Sequence, residues 1–182
     1  MKAPWLAGLI AATSIAGARD SDPGASLYRF DAALTNQDGR EHGLDLYRGH
    51  PVLVTMFYGS CPATCPLIIE TLRSAENAAT PAQRANLRVL MISLDSERDT
   101  VPALQELAKA RRIDTTRWTL ARADERTVRN VAALLNVQYR KLPSGEFSHS
   151  TMIVLLSATG EIEISSSKLG VADPDLVEHL RR

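Results

Sequence analysis

Apolar side chains along this chain fall into short continuous runs and longer stretches at helical spacing. Residues 51–58 (Pro-Val-Leu-Val-Thr-Met-Phe-Tyr) form a nearly continuous β-branched and aromatic run, which predicts a buried central strand. Residues 87–94 and 151–156 predict two further strands, and 118–120 a short one. Gly59-Ser60 breaks the first run, and beyond Pro66 the apolar positions Ile68, Leu72, Ala75 and Ala79 recur at helical spacing. That helix should end before Thr80-Pro81, because proline disfavours helical geometry in the residue preceding it. Asp99-Thr100 can cap a helix with Pro102 in its first turn, residues 125–135 predict another, and Asp173-Pro174 starts a last one. Ala158-Thr159-Gly160 should turn strand 151–156 into an antiparallel partner at 161–165. At the front, 28–34 alternates loosely before the turn residues 36–39, suggesting an opening hairpin.

Strands alternating with helices predict an α/β sandwich, since parallel strands need crossover connections, and the late hairpin makes the central sheet mixed. A strand, a cysteine pair at the start of the following helix, a crossover and a late hairpin together match a thioredoxin-like fold, a mixed central sheet flanked by helices. No internal repeat or low-complexity segment interrupts it.

Composition adds two constraints. The 182 residues suit one domain, and Lys plus Arg equals Asp plus Glu at 21 each, which argues against a broad basic footprint and so against nucleic acid as a partner. The first residues read separately: Lys2 supplies a positive start, residues 5–15 are almost uncharged, and Ala16-Gly17-Ala18 offers small residues for a signal peptidase. Residues 1–18 are therefore expected to be a signal peptide, 19–27 a linker and 28–182 the folded domain. The apolar stretch is shorter than the roughly 18 residues of a spanning helix, although an uncleaved anchor is the alternative. The body of the protein is expected to be exported, in the periplasm or facing it from the inner membrane.

The chain has two cysteines, Cys61 and Cys65, in one short segment. A structural disulfide usually joins distant segments, and a pair four residues apart closes almost nothing. Three residues between them, with both on one helical turn, would direct both sulfurs to one ion. Thiolates suit Cu(I), and a nitrogen donor accommodates Cu(II). The bland alternative is two small buried hydrophobes. A helix start at the carboxyl end of a strand is also where a thiolate is favoured.

Of the histidines, His149 directly precedes the late strand, where the loop of a thioredoxin passes beside the cysteines. It is either a third ligand or a structural residue of the strand. His42, His50 and His179 read as solvated surface residues.

Cys61-Pro62-Ala63-Thr64-Cys65-Pro66, the segment Ser93-Leu94-Asp95-Ser96-Glu97-Arg98-Asp99-Thr100 and Phe147-Ser148-His149-Ser150 resemble the SCO/SenC family. The resemblance runs from about Tyr28 to Leu180. It implies a copper-binding protein with a thioredoxin fold, whose ligands are Cys61, Cys65 and His149. It implies a role in maturing the dinuclear copper centre of cytochrome c oxidase, whose copper-carrying subunit would be the partner, alongside other copper chaperones or thiol reductants. The family usually has an aspartate where Ala63 stands, and another where Ser148 stands. Asp95 and Arg98 either support the loop beside the site or serve as a loop ion pair and helix cap.

The expected activity is metallochaperone transfer of copper, as Cu(I) or Cu(II), by ligand exchange. The alternative is a thiol–disulfide oxidoreductase with Cys61 as the more exposed nucleophile and Cys65 as the resolving thiol. A peroxidase on this fold would need only Cys61, which leaves the pairing without a use.

Overall fold

The computed structural model describes residues 26–61 and 64–182, with side chains for all of these except Thr64. The expected signal peptide lies outside the described residues. Seven strands form one sheet: β1 (Leu34–Asn36), β2 (Glu41–His42), β3 (Val52–Phe57), β4 (Arg88–Ser93), β5 (Trp118–Arg122), β8 (Ile153–Leu156) and β9 (Ile162–Ser166), in the order β2-β1-β5-β4-β3-β8-β9. Between β5 and β8, strands β6 (Tyr139–Lys141) and β7 (Phe147–His149) pair only with each other. β3 runs parallel to β4 and antiparallel to β8, in registers Leu53↔Val89 and Leu53↔Leu155. The sheet is mixed, as its pattern predicts. Every residue of β3 is buried, which is the physical counterpart of its continuous apolar run.

Helix α1 (Thr64–Ala78) lies between β3 and β4 in the chain. Its buried positions Cys65, Ile68, Leu72 and Ala75, continued by Ala79, make one stripe. Each fully buried Leu or Ile in that stripe contributes about 1.5–3 kcal/mol. Cys65 heads the stripe, so the fold treats it as core.

Helix α2 (Pro81–Asn86) is an element the apolar spacing does not announce. Thr80 and Gln83 form a reciprocal capping box at its start. Helices α3 (Val101–Ala110), α4 (Glu125–Leu134) and α5 (Pro174–Leu180) follow expectation, capped by Thr100, Asp124 and Asp173. The opening hairpin forms later than its alternation suggests. Leu27–Arg29 is a 3-10 turn, not part of a strand, and Leu27 N–H already bonds Gly160 O at 2.8 Å. Leu27, within the expected linker, is thus part of the folded body.

Buried near the end of α1, Glu76 accepts hydrogen bonds from Arg117 at 2.6 Å and from the Trp118 indole at 2.9 Å. This joins the helix to β5 on the far side of β4. Among the described residues, no helix is long and apolar enough to cross a membrane.

Candidate metal centre

β3 ends at Phe57, and residues 58–61 carry the chain from the sheet to the thiols. Tyr58 is buried, and its carbonyl accepts both the Cys61 N–H at 3.2 Å and the Cys65 thiol at 2.9 Å. Gly59 N–H is bonded by Asp99 Oδ2 at 2.9 Å, and Asp99 also accepts the Ser93 hydroxyl. A Cβ at Gly59 would lie 2.6 Å from Asp99 Oδ1, so the residue must be glycine for this carboxylate to reach the turn. Burial raises the Asp99 carboxyl above its ordinary value, against the lowering by its hydrogen bonds with Ser93 and Gly59.

The two cysteines are not joined by a disulfide, and both are buried. Cys61 is 7% exposed and Cys65 2%, so the pair has the expected order of exposure with neither thiol truly open. They are close enough for Cys61 to raise the Cys65 thiol further. Their approach does not come from one helical turn, as the spacing suggests. Helix α1 starts at Thr64, leaving Cys61 outside it and Cys65 inside. Nor does the helix start dominate at Cys65: burial pushes its thiol up to about 12. The folded chain holds Cys65 as a protonated thiol at neutral pH.

His149 lies on a strand of its own, β7, where the sequence suggests a loop. Tyr139 pairs with His149 and Lys141 with Phe147, and the tip closes through Leu142 N–H to Glu146 O at 2.7 Å. The His149 Nδ1 bonds Ser150 O at 3.1 Å. A carbonyl only accepts, so Nδ1 carries the proton and the lone pair is on Nε2, the form in which an imidazole can bind a metal. The imidazole stands edge-on to the Tyr58 ring at 5.7 Å, and Phe147 packs on the same ring at 5.4 Å. The Tyr58 hydroxyl in turn interacts with the Cys61 thiol and the Glu146 carboxylate. Burial first, then those two neighbours, raises the phenol far above its ordinary range.

The predicted residues are thus gathered around one tyrosine. Among the described residues, no three His, Cys, Asp or Glu side chains converge closely enough to hold a metal ion. The donor set nevertheless fits copper: two soft thiols gathered on one carbonyl and an imidazole whose Nε2 carries the lone pair.

Asp95 and Arg98 do more than brace their own loop. Arg98 pairs with buried Asp95, donates to Gly145 O at 2.6 Å and pairs with Glu146 at 3.5 Å. Lys141 pairs with Glu97 at 2.6 Å. The loop after β4 therefore grips the tip of the β6–β7 hairpin. Beneath the hairpin is a cavity of 210 Å³, lined by Leu94, Glu97, Val128, Tyr139, Lys141 and Phe147. A larger one, 590 Å³, opens at the opposite end of β3 near Pro51 and has no part in the thiol chemistry.

Sequence reasoning missed Tyr58, Asp99 and Glu146 as parts of the site. Only Gly59, which breaks the long apolar run of 51–58, hinted that something approaches the turn. His42 also differs from expectation: it lies in β2, packs on Tyr47 at 5.8 Å and has a buried Nε2.

Comparison with known proteins places this geometry. No curated protein sequence matches the chain. Among solved structures, Arabidopsis thaliana ScoI with copper bound is 21% identical, with a TM-score of 0.71 over 82% of this chain and 92% of that one. Yeast Sco1 with copper bound is 17% identical, with a TM-score of 0.68 over 82% and 83%. BsSco, described by its disulfide switch and as a member of the Sco family of cytochrome c oxidase assembly proteins, is 20% identical, with a TM-score of 0.64 over 81% and 88%. These likenesses establish the thioredoxin-like fold. The SCO1/SenC family model matches residues 22–181, nearly the whole chain, and the protein belongs to the SCO1/SenC family.

Proposed function

We propose that this chain is a metallochaperone that carries copper to the dinuclear copper centre of cytochrome c oxidase, with Cys61, Cys65 and His149 as the donors. The observation that carries the reading is the pair of cysteines gathered on the Tyr58 carbonyl, with His149 T-shaped against the ring of the same residue. Copper is the cargo. Two thiolates suffice for Cu(I), and His149 adds the donor that Cu(II) favours. His149 belongs to a hairpin outside the main sheet, so its approach to the sulfurs requires no break in that sheet. The copper-bound Arabidopsis and yeast relatives support this reading, as does the family membership.

Copper titrations in both oxidation states test it. Cys61→Ser and Cys65→Ser should each abolish tight binding. His149→Ala should weaken Cu(II) far more than Cu(I), bleach the sulfur-to-copper charge-transfer band and impair oxidase maturation in complemented cells. Normal Cu(II) binding and full oxidase activity in His149→Ala would overturn the three-ligand site.

A second reading, thiol–disulfide exchange that keeps the target's cysteines reduced, is favoured by the thiols' mutual contact and by the disulfide switch named for BsSco. It predicts that His149→Ala retains full function while either cysteine variant loses it. Under both readings the chain works outside the cytoplasm, with residues 1–18 as its export signal. Intact-mass analysis of the mature protein tests cleavage after Ala18.

A further inference from the structure

The end of the sheet away from the thiols, where the parallel strands β3, β4 and β5 begin, holds a cavity of 220 Å³ that copper transfer does not use. Its lining includes Leu46, His50, Arg88, Thr116, Arg117 and Thr119 and, among the described residues, no Asp or Glu. Arg117 is already neutralised, with Asp114 on its Nε at 3.0 Å and Glu76 on its Nη1 at 2.6 Å. Arg88 is not. Its Nη1 donates to the carbonyls of Ala85 and Leu87 at 3.0 Å and of Asn86 at 3.1 Å, which fixes the guanidinium. Among the described residues no carboxylate pairs with it, and its Nε and Nη2 have no partner. His50 Nδ1 bonds the same Asn86 carbonyl at 3.0 Å, so the imidazole stands beside the guanidinium. A carbonyl only accepts, so Nδ1 carries the proton and Nε2 the lone pair.

We propose that this cavity is a binding site for a phosphate group, inorganic or as a monoester, held between the open edge of Arg88 and the Nε2 of His50. The site stands apart from the copper reading and does not depend on it. A planar guanidinium pinned at one corner and open along its Nε–Nη2 edge presents two parallel N–H bonds, which match two oxygens of one phosphate. A phosphate monoester titrates near about pH 6, so at that pH much of it keeps one P–OH, and Nε2 is an acceptor for it. Sulfate and carboxylate have no proton to give there, and meet the Nε2 lone pair with lone pairs of their own. Two sources present such a group: a soluble phosphate, or the headgroup of a lipid such as phosphatidic acid. Leu46, 61% exposed on the same lining, is the apolar contact that a membrane would add.

Chemical-shift titration of the metal-free chain with inorganic phosphate, at about pH 6, tests the site. Amides of 46–50, 86–88 and 116–119 should move together and saturate. Arg88→Gln should weaken binding roughly tenfold or more, the worth of a hydrogen bond to a charged group. Arg88→Lys keeps a charge and a donor for the three carbonyls, and replaces the glutamine variant if that one does not fold. It should bind phosphate more weakly than wild type, because the paired N–H bonds are gone. Sulfate at equal ionic strength should bind more weakly than phosphate, and His50→Ala should erase that preference while leaving the anion on Arg88. Vesicles of phosphatidylcholine with phosphatidic acid separate the sources. Co-sedimentation that both Arg88→Gln and Leu46→Ser abolish assigns the site to the lipid. Binding of glycerol 3-phosphate that Leu46→Ser leaves intact, without co-sedimentation, assigns it to a soluble monoester. Absence of saturable shifts, shifts that survive both Arg88 variants, or equal affinity for sulfate overturns the proposal.

Discussion

The carboxylate of Asp99 accepts the backbone N–H of Gly59 at 2.9 Å across forty positions of sequence. One bond thereby ties the loop after β4 to the turn that presents both thiols. Asp99→Ala leaves that N–H and the Ser93 hydroxyl without an acceptor, and should cost about 1–3 kcal/mol in urea unfolding. Gly59→Ala should do comparable damage by pushing the carboxylate out.

The same carboxylate gives a pH signature. Its pKa is raised, so the folded chain binds its proton more readily than the unfolded chain does. Asp99 therefore favours folding below its ordinary 3.8, and that contribution is lost as pH rises through the higher folded value. Asp99→Asn should gain stability relative to wild type as pH climbs through this window. Unfolding curves between pH 3 and 7 check the sign.

Cys65, pushed up to about 12 by burial, behaves alike at the alkaline end. The metal-free fold retains this proton longer than the unfolded chain, so stability should decline as pH rises from the ordinary 9.0 toward 12. Cys65→Ser should lack that decline. At pH 8, alkylation of Cys65 should be much slower than that of an unfolded thiol, as read by mass spectrometry.

Arg98 is the clasp between the two halves of the site. Arg98→Ala should cost only about 1 kcal/mol overall, because the guanidinium is partly exposed. Its local effect should be larger. Amide exchange across 139–149 should accelerate, and Cu(II) binding, which is proposed to need His149, should weaken more than Cu(I) binding.

Glu76 separates stability from chemistry. Glu76→Ala leaves the buried Trp118 indole N–H without its acceptor and Arg117 with only Asp114 and the Arg84 carbonyl, and should lower stability by roughly 2 kcal/mol. The cysteine turn lies at the other end of α1, so copper stoichiometry should be unchanged.

Much of this architecture is legible in the residues, and the exceptions share a cause. Strands buried along nearly their whole length, such as β3 and β4, and helices with a polar cap, such as α4, declare themselves because local pattern and tertiary burial agree. The β6–β7 hairpin does not: its strands are three residues long, and only Pro143-Ser144-Gly145 at its tip is a turn signal. Helix α2 has no buried residue, and is readable only from Thr80 and Gln83. Cys61 and Cys65 were legible as a pair, but the reason for their approach was not. A helical-turn argument presumes that both lie inside the helix, whereas the Tyr58 carbonyl draws them together from outside and within. Tyr58 itself reads as the last apolar residue of a strand, because nothing local marks a hydroxyl for a partner ninety residues away.

Since β6 and β7 hydrogen-bond to each other and not to the seven-stranded sheet, the hairpin's length is decoupled from the sheet's register. Slipping a residue into β8 would turn its inward side chains outward, whereas extra residues at the tip, between Leu142 and Glu146, leave every sheet pairing in place and add little closure entropy. The tip is accordingly a grafting point. A spectroscopic label or a recognition loop inserted there would travel with His149 above the thiols while the scaffold below kept its shape.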